Sequence, residues 1–185
     1  MTTDEFWQII DAVHRGSGGD MERKCELLKL RLEELDDAEL SRFSRHFAEA
    51  DAGAYTWPLW GAAYVMNGGC SDDAFSDFRA TLISQGRAVY ERALADPDSL
   101  VEVDFGGEED ICYEGFQYVP NTVAEEKGIE LAQPSPFPAD PAEEPWDEEE
   151  LDTLYPRLTA KYAGSADTRD DGNSPAAAKP WWKVW

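Results

Sequence analysis

Basic residues are scarce in this 185-residue chain: 16 Lys and Arg stand against 39 Asp and Glu, for a net charge of -23 and a pI near 4.2. Such a surface repels phosphate backbones and anionic lipid, so neither nucleic acid nor a membrane surface is expected as a partner. No apolar run approaches the roughly 18 residues that suggest a membrane-spanning helix, and Thr2-Thr3-Asp4-Glu5 has neither the basic nor the apolar part of a signal peptide. The three cysteines, Cys25, Cys70 and Cys112, are odd in number and widely spaced, which suggests neither a disulfide framework nor a CxxC site. A reducing, cytoplasmic setting is expected. Two histidines, His14 and His46, are too few and too distant for a histidine metal site, and HExxH, P-loop and GxGxxG patterns are absent. No cofactor is expected, and a non-enzymatic role is favoured.

What is present is helical periodicity. Thr2 and Glu5 have capping-box spacing, and Phe6, Ile9, Ile10 and Val13 then recur at helical period, which predicts a helix over 3–15 that Gly16-Ser17-Gly18-Gly19 ends. Asp20 heads a second helix with the stripe Met21, Cys25, Leu28, Leu32 and Leu35, and Asp36 or Asp37 heads a third with Leu40, Phe43 and Phe47 inward. Trp57-Pro58 opens a fourth, apolar nearly all round, which is therefore expected to be the most buried; Gly68-Gly69 stops it. Ser71 or Asp72 caps a fifth carrying Phe75, Phe78, Leu82 and Ile83, and Gly86 marks a kink or a close helix crossing before Val89, Tyr90, Ala93 and Leu94. The prediction is an all-α single domain of six to eight helices whose core is the fourth and fifth.

Beyond Asp96-Pro97-Asp98 the pattern weakens. Leu100, Val101, Val103 and Phe105 suit a short strand or a loop, and Phe116 to Val123 a short helix interrupted by Pro120. Ala132 to Pro145 reads as an extended connector, and Asp147 as the cap of a last helix with Leu151, Leu154, Tyr155, Leu158 and Tyr162, with Trp146 in the position of a hydrophobic staple. From Asp96 to Asp152 there are 19 carboxylates, while Lys127 is the only basic residue between Arg92 and Arg157. Residues 164–180 lack apolar periodicity and read as a flexible tether, whose coil of about sixteen residues spans roughly 20 to 24 Å. The sequence given then closes with Trp181-Trp182-Lys183-Val184-Trp185.

The segment Trp57-Pro58-Leu59-Trp60-Gly61-Ala62-Ala63-Tyr64, then Gly68-Gly69-Cys70-Ser71-Asp72-Asp73-Ala74-Phe75, Phe78-Arg79 and Gln85-Gly86-Arg87, resembles a bacterial domain of unknown function, DUF 4240. Phe6-Trp7 and Leu154-Tyr155-Pro156-Arg157-Leu158 add to the likeness, which runs over about residues 3–163. It implies a mostly helical, cytoplasmic single domain; it carries no catalytic residue. A folded body of 1–163, a spacer of 164–180 and an aromatic segment of 181–185 also resemble, in architecture, a ribosomally made natural-product precursor with a recognised leader and a modified core.

Two constellations are candidates for function. Trp57, Trp60 and Tyr64 could floor a pocket whose polar groups are Asp72, Asp73 and Arg79; the plainer alternative makes Ser71 or Asp72 a cap and pairs Arg79 with a carboxylate between helices. Cys70, ahead of a helix N-terminus, is a candidate thiolate or, more simply, a buried thiol. The acidic runs Glu108-Glu109-Asp110 and Glu148-Glu149-Glu150 with Asp152 lack the alternation of a calcium loop and read as solvated surface. In the last segment Trp181 and Trp185 are four apart and Trp182 and Trp185 three apart, so a helical turn brings either pair together. The leading expectation is a carrier domain presenting Trp181, Trp182, Lys183, Val184 and Trp185 to a modifying enzyme such as a cytochrome P450 or a radical enzyme. The alternative is a binding or regulatory domain, for a small ligand or a basic protein including an immunity-type partner, with the aromatic segment as lid or interaction motif.

Overall fold

The computed structural model describes residues 1–107, 109–131 and 136–166, with side chains through 162. Trp181 to Trp185 and most of the expected tether lie outside the described residues. The described part is all helical: α1 (Thr3–Ser17), α2 (Met21–Glu33), α3 (Asp37–Gly53), α4 (Trp57–Asn67), α5 (Asp72–Ser84), α6 (Arg87–Ala95), α7 (Val119–Lys127), the single turn α8 (Leu151–Leu154) and α9 (Pro156–Ala166). Three 3₁₀ turns, Pro97–Glu102, Phe116–Tyr118 and Glu148–Glu150, join them. None of the described helices is long and apolar enough to cross a membrane.

The N-terminal helices begin where their caps predict. Thr2 and Glu5 form a reciprocal capping box, Asp20 accepts from the Arg23 N–H, and Asp36, not Asp37, accepts from the Glu39 N–H at 2.8 Å. Thr56 and Ser71 do the same for α4 and α5. Inside the bundle, α5 touches α1, α3, α4, α6 and the 3₁₀ turn at 116–118, and its stretch from Phe78 to Ser84 is buried throughout. Leu59, Trp60, Ala62, Ala63 and Met66 of α4 are equally enclosed, so the fourth and fifth helices do form the centre.

Two open alternatives are resolved and two expectations are corrected. Gly86 breaks the chain between α5 and α6 at φ +95, where a Cβ would stand 2.5 Å from Asp11 Oδ1; Asp11 instead accepts the Arg87 N–H at 3.0 Å. Leu100 to Phe105 form no strand: the first part is the 3₁₀ turn at 97–102. Pro120 does not interrupt a helix but stands in the first turn of α7, where no N–H is needed. The last helix is not continuous from Asp147. A 3₁₀ turn and α8 end at Tyr155, and α9 restarts at Pro156 and runs to Ala166, past the expected boundary at Gly164.

The restart depends on a distant carboxylate. Asp98, 9% exposed, accepts the Arg157 N–H at 3.2 Å on Oδ2 and the Leu158 N–H at 2.9 Å on Oδ1, so residue 98 caps α9 from across the bundle. Leu158 below it is fully buried. Asp98→Ala therefore strands two amide donors and is expected to cost about 1 to 2 kcal/mol in urea unfolding, with Asp98→Asn losing less because one acceptor remains.

Candidate functional site

The candidate residues on α4 share one face at i, i+3 and i+7. Trp57 and Trp60 stack with centroids 5.3 Å apart at 11°, and Trp60 continues onto Phe75 of α5 at 4.9 Å and 12°. The face is covered by the chain's own C-terminal arm. Trp146 meets Trp57 edge-on at 6.2 Å and Tyr64 at 5.2 Å, and its indole N–H donates to the Trp57 carbonyl at 2.9 Å. Trp146 thus docks on α4, a role that goes beyond the expected staple. Tyr155 donates its hydroxyl to the Pro58 carbonyl at 2.8 Å, and Tyr64 donates to Glu148 Oε1 at 2.9 Å. Burial first, then the Glu148 carboxylate, pushes the Tyr64 phenol up to about 12. Part of the expected connector is pinned as well: Trp57 N–H donates to Ala142 O at 3.0 Å and Ala142 N–H to Tyr55 O at 2.9 Å, a lone parallel bridge beside residue 56.

Arg79 enters from α5 and is 4% exposed. Its Nε donates to Asp51 Oδ1 at 2.8 Å, and its guanidinium lies 4.8 to 5.2 Å from the ring centres of Phe75, Tyr55 and Phe137. The charge is matched by one carboxylate from α3 and three ring faces, so Arg79 ties two helices together. Asp72 and Asp73 sit apart from it on the exposed first turn of α5, where the aligned backbone dipoles favour carboxylates, while Ser71 is the cap. The six candidates are thus a half-buried aromatic face packed under the arm, an Arg79 paired at its margin with the partly exposed Asp51, and two exposed carboxylates. Gln85 is buried, and Arg87 bonds Glu91 and Asp4 on the surface. Among the described residues no group of three or more acidic, His or Cys side chains could hold a metal ion; Glu108 lies outside them.

Other features escaped the sequence reading. Lys24 occupies the inward stripe of α2 beside Cys25 and is fully buried. Its Nζ donates to Ser84 Oγ at 3.2 Å, and Ser84 in turn donates to the Thr81 carbonyl at 2.6 Å. Burial pushes the Lys24 amine down to about 8, against the opposing pull of Asp110, and burial together with Lys24 holds the His14 imidazole below its ordinary value. The signal was weak: Lys24 is three residues after Met21 and four before Leu28, a core spacing filled by a residue type that rarely occupies it. An open groove of about 430 Å³ also runs between α1, the end of α2 and the start of α3, lined by Glu5, Gln8, Ile9, Arg31, Leu35 and Glu39.

The chain matches the family described as Protein of unknown function (DUF4240) over residues 1–126, and it belongs to that family. Leu154 to Leu158 and the whole C-terminal arm lie beyond the matched stretch. No curated protein and no solved structure matches the chain.

The buried amine makes stability depend on alkaline pH. Lys24 is held near 8 in the fold against 10.5 when free, so between those values the unfolded chain binds the extra proton. Its penalty is fully present below pH 8 and is relieved as pH rises toward 10.5. Lys24→Met is expected to raise stability at pH 7 by about 2 to 3 kcal/mol and to remove this rise, measured by urea unfolding at pH 7 to 9.5. The pH ceiling matters because burial pushes the Tyr90 and Tyr155 phenols up to about 12, which opposes folding once free tyrosine ionises above 10.

Proposed function

We propose, on the premise of membership in DUF4240, that this protein is a non-enzymatic, cytoplasmic carrier: a helical body that presents Trp181-Trp182-Lys183-Val184-Trp185 to a modifying enzyme. The observation that supports this reading best is the closure of the α4 face by Trp146, Tyr155 and Glu148. The aromatic and charged groups that would have served a ligand are bonded to one another. Beside them α9 packs against α4 and the 97–102 turn, and residues 181–185 follow that helix in sequence. A firmly packed last helix suits a body that is gripped by an enzyme while the segment following it in sequence is worked on.

The chemistry of the segment fits oxidative coupling. Three indoles and one lysine within five residues offer carbon and nitrogen positions that a cytochrome P450 or a radical enzyme can join. The acidic surface gives that enzyme a long-range handle of opposite charge. A second reading, a binding or regulatory domain for a small ligand or a basic partner with the segment as lid, is favoured by the open groove at Ile9, Arg31 and Leu35.

Co-expression with the oxidative enzymes encoded beside the gene, followed by mass spectrometry of the C-terminal peptide, tests the carrier reading. The expected product has lost two hydrogens per new bond between aromatic rings, and Trp185→Ala abolishes the linkages that use that ring. An unmodified peptide with every such enzyme overturns it. Deleting residues 167–185 without loss of ligand affinity removes the lid.

A further inference from the structure

The seam between α4 and the C-terminal arm joins apolar surface to an acidic rim. Trp57 and Tyr64 on α4 are half-buried, and Leu154 of α8 is 49% exposed although Leu151, one turn earlier, is buried. Because α8 packs on both α4 and α9, that exposed leucine stands at the same seam. Residues 140–152 hold eight carboxylates and no basic side chain, and all eight are exposed. Glu148 meets the Tyr64 hydroxyl at 2.9 Å, which fixes the rim against the ring. Exposed apolar surface rimmed by one sign of charge suits a ligand that carries apolar groups and the opposite charge.

The chain holds such a segment. Residues 172–185 contain three tryptophans, two lysines and no acidic side chain, the reverse of the arm's balance. The segment is also within reach. α9 follows Tyr155, whose hydroxyl is fixed on the Pro58 carbonyl, and its 11 residues rise about 16 Å. Residues 167–180, treated as a coil, span roughly 19 to 22 Å. Trp181 therefore returns to the seam without a stretched chain. The open groove at Ile9 and Leu35 is a poorer seat, because its rim mixes Arg31 with Glu5 and Glu39, and α9 packs on α4, α8 and the 97–102 turn.

We propose that Trp181-Trp182-Lys183-Val184-Trp185 docks in cis on this seam, with indoles against Tyr64 and Leu154 and Lys183 against the carboxylates of residues 143–152. Removal of indole surface from water drives the contact, while charge selects the seat and is screened by salt. The tether makes the encounter intramolecular, at an effective concentration of about a millimolar, so a weak contact suffices. The seam withholds the segment until a partner draws it off. This docking rests on neither functional reading, since it needs no modifying enzyme and no ligand.

Carbodiimide coupling of the full chain at low protein concentration tests it, because the reagent joins an amine to a carboxylate in contact with it and adds no spacer. The expected peptide map joins Lys183 to a carboxylate of residues 143–152 within one chain, several-fold more often than to any carboxylate of residues 1–131. Leu154→Ser changes an exposed side chain and is expected to lower that yield about threefold, as the loss of one partly buried leucine contact implies. Alanine at 181, 182 and 185 together abolishes the preference without touching the body. Links from Lys183 chiefly to Glu5 or Glu39, links spread evenly over the body, links only between chains, or a preference that survives loss of all three indoles overturn the proposal. With no modifying enzyme present, none of these outcomes bears on the carrier reading.

Discussion

Gly61 sets the distance at which the C-terminal arm can lie on α4. A Cβ built there stands 2.7 Å from Tyr155 Oη, 2.8 Å from Tyr155 Cε2 and 3.0 Å from Trp146 Cδ1, so the arm rests on bare helix backbone. Because no side chain intervenes, the Tyr155 hydroxyl reaches the Pro58 carbonyl and the Trp146 indole reaches the Trp57 carbonyl. Both contacts fall within the first turn of α4, and both fix the ring plane as well as the distance. The rest of the aromatic junction, Trp57 on Trp60 on Phe75, then extends inward from this seam to α5. Each buried indole removes about 150 to 250 Å² from water, which makes the seam a large contribution to holding the arm.

Polar groups inside the bundle act as constraints on geometry more than as sources of stability. Arg79 cannot leave Asp51 without stranding a charge, so α3 and α5 keep one relative placement. Asp98 sets where α9 begins, and Ser84 gives Lys24 an oxygen acceptor in an apolar setting. Exposed pairs such as Arg87 with Asp4 or Lys29 with Glu126 are screened by solvent and contribute little. Among the described residues Asp98 is the only buried carboxylate, so the acidic excess stays in contact with solvent.

Local signals in the sequence were legible because their causes are local. Caps at Thr2, Asp20 and Ser71 and the stripes of α1, α3 and α5 depend on neighbours within a turn or two, and each reappears in the fold. Arg79 as an inter-helix tie and the burial of α4 were also within reach of side-chain chemistry. What could not be read depends on contacts across the chain. The role of Asp98 as cap for residues 157 and 158 and the departure of Trp146 toward α4 have no sequence period. Lys24 was missed for a different reason: charge usually marks the solvent face, and here the spacing of the stripe overrode it. Trp57, Trp60 and Tyr64 pack against Trp146 and Phe75 because aromatic residues spaced for a ligand floor serve equally well as a packing surface.

The chain's own arm packs on the α4 face, and Gly61→Ala probes that contact by urea unfolding with hydrogen exchange over residues 146–162. Helix propensity alone favours alanine by about 1 kcal/mol. The clash of a Cβ with Tyr155 and Trp146 predicts the reverse: a net loss of about 1 to 3 kcal/mol, with protection of the arm falling first. A stability gain with protection of 146–162 unchanged would contradict it.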